Sequence, residues 1–525
     1  MRFFTKDQMR LAEEKSVELG MSWLRLMENA GSAAARVIRE TYETAGKKFA
    51  VVCGRGNNGG DGYVVARKLR ESGAAVVIIQ AEGGPLTATA MEMYTRAADY
   101  GIRTIHFATA SEEAVLALKK ADYVVDAVFG TGFHGAAQGA ADEVIRYMNI
   151  APGKTIALDL PSGAQCDTGA VEGACVEAEL TVTFTALKPC HILSPAAELC
   201  GKVTPVSIGM PAAAVDAIPS VMESIDRSDV QALLAPRKKE ANKGDFGKAL
   251  AVCGSYGMAG AAAMAAEAAL RTGVGLCRLA VPRSLYPILA PGLREAVFTP
   301  LEETGEGTLS CAAAGRLRAL AAEASAILVG CGWGRGPDLA WLLRDLLEQA
   351  RCPVVLDADA LNILSEGETG GIKGPSRRID ILKAAKAPLV LTPHPGEMAR
   401  LMETTTADVQ RNRVEYARRF AAAYGVTLVL KGAGTVVADP AGRVKINLTG
   451  NPGMATGGSG DMLAGMILSL LAQGLAPDQA AEAGVYLHGL CGDRTAKRLS
   501  QRGMLPTDMI RELPLLFQEF ETAGD

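Results

Sequence analysis

The chain has 525 residues, 49% of them hydrophobic and 21% charged, with a formal net charge of −4. Such a length calls for roughly two to four domains, and with aromatics at only 5% neither a basic face nor a stacking platform is available for nucleic acid. Eleven cysteines without a C-x-x-C pair exclude a zinc framework and a secreted disulfide scaffold; with no signal-peptide core and no long apolar span, a cytoplasmic protein without membrane contact is expected.

Thr5 followed by Gln8 predicts a capping box that opens a first helix, and a second helical run covers Ser22 to Tyr42. Strands and helices then alternate. Phe49–Cys53 and Ala74–Gln80 are short β-branched runs, Tyr63–Ser72 and Thr87–Tyr100 have helical spacing, and Tyr123–Phe129 and Thr155–Leu160 are further buried strands. Alternation of this kind predicts a parallel sheet covered on both faces.

The first strand runs into Gly54-Arg-Gly-Asn-Asn-Gly59, a literal G-x-G-x-x-G, with Glu82 after the next strand. This pattern alone suggests a dinucleotide-binding dehydrogenase. The full string Gly56-Asn-Asn-Gly-Gly-Asp-Gly62 argues against it, because Asp61 would oppose a pyrophosphate, whereas side-chain oxygens here suit a cation or a hydroxyl-bearing ligand. Two later strand ends, Asp126 to Gly135 and Asp159-Leu-Pro-Ser-Gly163, add polar groups at the edge where doubly wound sheets collect ligands. Asn58, Asp126 and Ser162 could together supply oxygens to a hard cation. A purely structural reading makes Asp126 and Asp159 turn caps. His134 in the glycine loop reads as a bystander, and Lys188-Pro-Cys-His191 after the strand Leu180–Phe184 carries no readable role.

Periodicity fades between Pro205 and Pro219, and a new helix is expected near Ser228. Strand ends in the second half carry Gly254-Ser-Tyr-Gly-Met-Ala-Gly260 before an Ala-rich helix, Gly332-Trp-Gly-Arg-Gly336, Asp357 to Asn362, Pro393-His-Pro-Gly-Glu397 and Lys431-Gly-Ala-Gly-Thr435. The lysine and glycine backbone of the last suit a phosphate tail; a tight hairpin turn is equally compatible. No Walker sequence is present. Near the end, Thr456 to Asp461 runs straight into the helical pattern Met462, Leu463, Met466, Ile467 and Leu470. A glycine loop at a helix start is an anion cradle. An aspartate facing that cradle is explained by proton abstraction from a hydroxyl undergoing phosphoryl transfer; a glycine-rich turn with the aspartate as helix cap is the structural alternative.

Gly457-Gly-Ser-Gly-Asp461 resembles the anion loop of the ribokinase-like superfamily, and Lys431–Thr435 with Thr392-Pro-His-Pro-Gly-Glu397 resembles its ADP-dependent NAD(P)H-hydrate dehydratases. Asn57 to Gly62 and Asp159 to Gly163 resemble the NAD(P)H-hydrate epimerases. The resemblance implies an α/β chain of two domains: a Rossmann-like doubly wound epimerase over residues 1–218 and a ribokinase-like α/β/α dehydratase over 226–525. It implies repair of hydrated nicotinamide cofactors. R and S hydrates (NADHX and NADPHX) would be interconverted, and the S form dehydrated with ADP converted to AMP and phosphate. Asp461 would be the dehydratase base, with Gly460, Lys431, Gly432, Ala433, Gly434 and Thr435 on the nucleotide and Ala261, Gly334 and His394 on the hydrate. The loop at Tyr256–Gly260 departs from the family in lacking a proline. In the epimerase, Asn57, Asn58, Gly59, Gly60, Asp61, Gly130, Thr131, Gly132, Phe133, His134, Gly135, Ala136 and Asp159 would contact the hydrate, Asp159 also doing acid–base work. Asn58, Asp126 and Ser162 would hold K+, Mg2+ would accompany ADP, and a homo-oligomer is expected. A vitamin-precursor kinase fused to a regulatory domain, or an N-terminal half that only binds, are the competing readings.

Overall fold

Apolar runs in the first half become the strands of one all-parallel sheet: β1 (Lys48–Cys53), β2 (Ala75–Gln80), β3 (Arg103–His106), β4 (Tyr123–Ala127), β5 (Lys154–Leu158), β6 (Leu180–Phe184) and β7 (Lys202–Val206), in the order β3-β2-β1-β4-β5-β6-β7. The computed structural model describes residues 2–219, 222–234, 236–366 and 378–522. They divide into two units, Arg2–Ser220 and Val221–Asp525.

Alternate side chains of the first sheet enter different cores. Val51 and Cys53 pack with helices α2 (Trp23–Thr41), α3 (Asn57–Glu71) and α4 (Ala88–Asp99), and Ala50 and Val52 pack with α5 (Ser111–Lys120) and α6 (Gly139–Asn149). A further helix, Lys6–Glu18, precedes these, and its Thr5–Gln8 capping box is formed. Two strands escaped the sequence reading because they are edges. β3 and β7 expose most of their length, β7 contains Pro205, and neither needs a continuous apolar run. α3 begins at Asn57, earlier than the Tyr63 expected, so the polar string is the helix's first turn and not a loop. Glycine at 59 permits this, since a Cβ there would lie 2.1 Å from the Gly54 carbonyl oxygen.

The second unit holds ten strands: β8 (Met222–Ser224), β9 (Lys248–Val252), β10 (Leu276–Pro282), β11 (Val297–Leu301), β12 (Ala326–Val329), β13 (Val354–Leu356), β14 (Leu389–Leu391), β15 (Thr427–Leu430), β16 (Val436–Ala438) and β17 (Val444–Ile446). Their order is β11-β10-β9-β12-β13-β14-β15-β16-β17-β8, parallel as far as β15, with β16 turning back as an antiparallel hairpin. The unit starts before residue 226 because β8 pairs with β17. Ala249, Ala251 and Cys253 pack beneath the helices Ala259–Arg271, Ser459–Ala472 and Pro477–Leu499. Strand order reverses between β1 and β4 in one sheet and between β9 and β12 in the other, the positions where crevices open at strand C-termini. Among the described residues, no helix is long and apolar enough to cross a membrane.

Candidate active sites

A cavity of about 1120 Å³ opens where the chain leaves β1, β4 and β5. Its wall includes Asn57, Asn58, Asp61, Gly130, Thr131, Gly132, Phe133, His134 and Asp159. Gly59 and Gly60 are not on that wall; they face the Gly54 backbone and Met27. Gly135 and Ala136 also lie off it.

Asn58, Asp126 and Ser162 do meet. Ser162 donates through Oγ (2.6 Å) and N (2.7 Å) to the two oxygens of buried Asp126, and Ser162 Oγ accepts from Phe129 N at 2.8 Å. Asn58 Nδ2 donates to the carbonyls of Phe129 (2.7 Å) and Leu158 (3.3 Å). Its Oδ1 is buried without a hydrogen-bond partner. Burial, opposed by the Ser162 and Val128 hydrogen bonds, pushes the Asp126 carboxyl up to about 6. An orphaned oxygen on Asn58 and a buried Asp126 carboxylate with no ion pair among the described residues, both tied to Phe129 (the latter through Ser162), fit a hard cation.

Asp159 adopts a left-handed backbone, φ 66°, a costly conformation for a non-glycine residue. The segment Lys188–His191 holds it there. Lys188, fully buried, donates from Nζ to Asp159 Oδ1 (2.5 Å), Thr183 Oγ1 (2.8 Å) and the Phe184 carbonyl (2.9 Å), so every ammonium proton is used. His191 Nδ1 accepts from Lys188 N at 3.0 Å, which leaves Nε2–H to donate to the Asp159 carbonyl at 2.9 Å. Burial and the neighbouring lysine lower that imidazole to about 4, so the ring is neutral. Sequence reasoning missed both residues; their only signal was a lysine and a histidine directly after a buried strand. Four more carboxyls line the cavity, Asp61, Glu13, Asp7 and Glu82. Burial, then Asp159 and Glu13, raise Asp61 well above its usual range.

In the second unit the polar groups gather at the ends of β12 to β15 and at the start of the Ser459–Ala472 helix. Asp357 is buried and accepts at Oδ1 from Thr392 Oγ1 (2.7 Å) and Lys431 Nζ (2.8 Å). Burial works against the Lys431 charge, but Asp357 and Glu397 outweigh it and raise its pKa. Lys431 reaches Gly460 at the helix start, where a Cβ would stand 3.3 Å from Nζ, so glycine leaves room for the ammonium. Asp461 is in the first turn of that helix. Burial and then Asp357 push its carboxyl up to about 6, with Cys331 and Lys431 opposing. Cys331, Asp357 and Asp461 bring one ligand atom each within 4.8 Å of one another. The two carboxylates suit Mg2+, which takes oxygen ligands; the thiol does not.

The other expected residues surround this cluster. Arg413, from a preceding helix, donates to the carbonyls of Ala433 (2.5 Å), Leu430 (3.1 Å) and Lys431 (3.2 Å), shaping the loop of Gly432, Ala433, Gly434 and Thr435. His394 caps a helix: its Nδ1 accepts from Gly396 N (3.0 Å) and Glu397 N (3.3 Å), and Nε2 of the half-exposed ring lies 3.5 Å from Glu397 Oε1. Burial, Lys431 and Arg400 lower its pKa, so it presents an N–H donor. Ala261 abuts Gly332, and Gly334 N donates to Asp359 at 2.8 Å. The sequence reading had noted Asp357 only as a strand end; Thr392 and Arg413 had no assigned role.

Residues 249–515 match the family model described as NAD(P)H-hydrate dehydratase, and residues 24–190 match that of the YjeF-related protein N-terminus. The chain is 41% identical over 504 residues to a bifunctional NAD(P)H-hydrate repair enzyme Nnr of Moorella thermoacetica, covering 94% of this chain and 92% of that one. It is 36% identical over 523 residues to that of Escherichia coli, covering 97% and 92%. A solved ADP/ATP-dependent NAD(P)H-hydrate dehydratase from Bacillus subtilis is 32% identical over 57% of this chain and 99% of its own, with a TM-score of 0.48.

Proposed function

The chain belongs to the family of bifunctional NAD(P)H-hydrate repair enzymes, and from that premise we propose how its two sites divide the work. The N-terminal unit is the epimerase and the C-terminal unit the nucleotide-dependent dehydratase. One observation supports the residue assignments: in each unit a strand-end carboxylate is bound to a lysine, Asp159 to the buried Lys188 and Asp357 to the partly exposed Lys431, with the acid–base candidate at or beside that pair.

In the dehydratase, Asp461 takes the proton from the hydroxyl on the hydrated ring as that oxygen accepts phosphate from ADP, leaving AMP. Phosphate then leaves C6 as the N1 lone pair forms N1=C6, and loss of the C5 proton to solvent restores the C5=C6 double bond. The helix N-terminus and Lys431 stabilise charge on the transferring group. His394 donates to the hydrate from Nε2. Asp357 would hold Mg2+, whose charge would offset that of the nucleotide phosphates. In the epimerase, Asn57, Asn58, Asp61 and the 130–134 loop bind the hydrate beside Asp159. Asn58, Asp126 and Ser162 would hold K+, which would neutralise Asp126 and fix the loop through Phe129.

The test uses mixed R and S hydrates of NADH with ADP, following NADH by absorbance. Wild type should recover all of the NADH. Asp159→Asn should stall once the S form is exhausted, and Asp461→Asn should recover none while still epimerising purified R hydrate. Dehydration near the wild-type rate in Asp461→Asn would refute the base assignment.

A further inference from the structure

We propose that Glu13 is the general acid of the N-terminal site, acting opposite the Asp159 carboxylate; the proposal rests on the epimerase reading of that cavity. The helix Lys6–Glu18 turns Lys6, Met9, Arg10 and Glu13 to the cavity, the spacing of a single helix face. Glu13 makes no hydrogen bond or ion pair with any of the described residues. The charges acting on it are those of Asp159, Lys188, Asp61 and, on its own helix, Glu14, and Asp159, Asp61, Arg55, Glu82, Lys6, Asp7 and Arg10 line the same cavity.

Of these carboxyls, Asp159, Asp61 and Glu13 act on one another and on the buried Lys188 ammonium, which has spent its protons on Asp159, Thr183 and Phe184. The ammonium is bound to Asp159, and Asp61 and Glu13 are both shifted upward. Burial, then the Asp159 and Glu13 charges, push Asp61 well above its usual range. Burial and then Asp159 bring Glu13 to about 7, matched to giving and taking a proton near neutrality.

Epimerisation needs such a pair. The hydrated carbon C6 bears a hydroxyl and is bonded to ring nitrogen N1. Asp159 removes the hydroxyl proton, the O–H pair becomes the second bond of C6=O, and the C6–N1 bond breaks with its electrons going to N1, which takes the proton of Glu13. Rotation about C5–C6 presents the other carbonyl face. N1 then attacks C6, its proton returns to Glu13, and Asp159 returns its proton to oxygen. No redox partner is needed, and both carboxyls end as they began.

The experiment converts purified R hydrate with the full-length protein without ADP, across pH, separating epimers by chromatography. The wild-type rate should fall as pH rises through about 7. Glu13→Gln should lose about 10²-fold or more in rate and lose the alkaline limb while still binding R hydrate. Glu13→Asp should recover part of the rate. A Glu13→Gln profile like wild type, with Asp159→Asn inactive, overturns the acid assignment and leaves the site reading standing. An alkaline limb that vanishes in Asp61→Asn instead overturns it in favour of Asp61. If Asp159→Asn also converts R hydrate at the wild-type rate, the reading of the cavity fails with it.

Discussion

Replacing Lys188 with Met keeps length and apolar bulk but removes the only cation bound to Asp159 among the described residues. Lys188 is fully buried and the Asp159 side chain is only 11% exposed, so solvent cannot take over the neutralisation. Breaking a buried pair from one side costs about 3–5 kcal/mol because a charge is left uncompensated. The lost bonds to Thr183 Oγ1 and the Phe184 carbonyl fall within that figure and should not be added to it. A loss of about 4 kcal/mol corresponds to about 8–16 °C in melting temperature for a unit of this size. Hydrogen exchange at β5 and β6 reads the effect in the intact chain, because those strands carry the two partners. The diagnostic variant is the double one. Lys188→Met with Asp159→Asn removes the stranded charge and should regain more than about 1 kcal/mol over the single change. Equal exchange in single and double variants would show that Lys188 acts only by packing, and the electrostatic account would fail.

Two further outcomes are expected. The raised Asp461 carboxyl must be ionised to act as a base, so dehydration at saturating ADP should climb as pH rises through about 6 and level above it; a rate already maximal well below that pH would exclude Asp461 as the titrating base. Exchanging K+ for choline should lower the melting of the N-terminal unit, since an ion present at about 100 times its Kd contributes about 2.7 kcal/mol. That difference should vanish in Asn58→Ala, which deletes the orphaned oxygen; melting indifferent to the cation in wild type would reject the site.

What was legible in the sequence is what strand ends carry. A parallel sheet delivers every strand C-terminus to one edge, so Asn58, Asp126 and Ser162 could be assembled from their places after β1, β4 and β5, without knowledge of contacts. The same logic gathered Lys431, His394 and Asp461. The charge balance was not legible. Asp159 and its lysine are 29 positions apart, and Asp357 and Lys431 are 74 apart. Whether a lysine after one strand turns toward an aspartate after another depends on local backbone, here the left-handed Asp159 and, beside Asp357, the left-handed Ala358. Neither is signalled by a glycine. The glycine string after β1 misled in the opposite sense: its composition suggested a loop, yet the small residues serve a helix packed hard against Gly54 and Met27.

The two lysines differ in a way that follows from sheet order. Lys188 follows β6, the immediate neighbour of β5, and reaches Asp159 within a closed pocket that uses all three of its protons. Lys431 follows β15 and spans β14, whose Thr392 fills the gap by donating to the same Asp357 oxygen. That longer reach leaves Lys431 partly exposed at the helix start, with donors still available. A lysine with every proton committed can only hold a carboxylate, whereas one with donors to spare can also receive an anion. The first arrangement suits a site that moves protons on a neutral ring, and the second suits one that must also hold a phosphate.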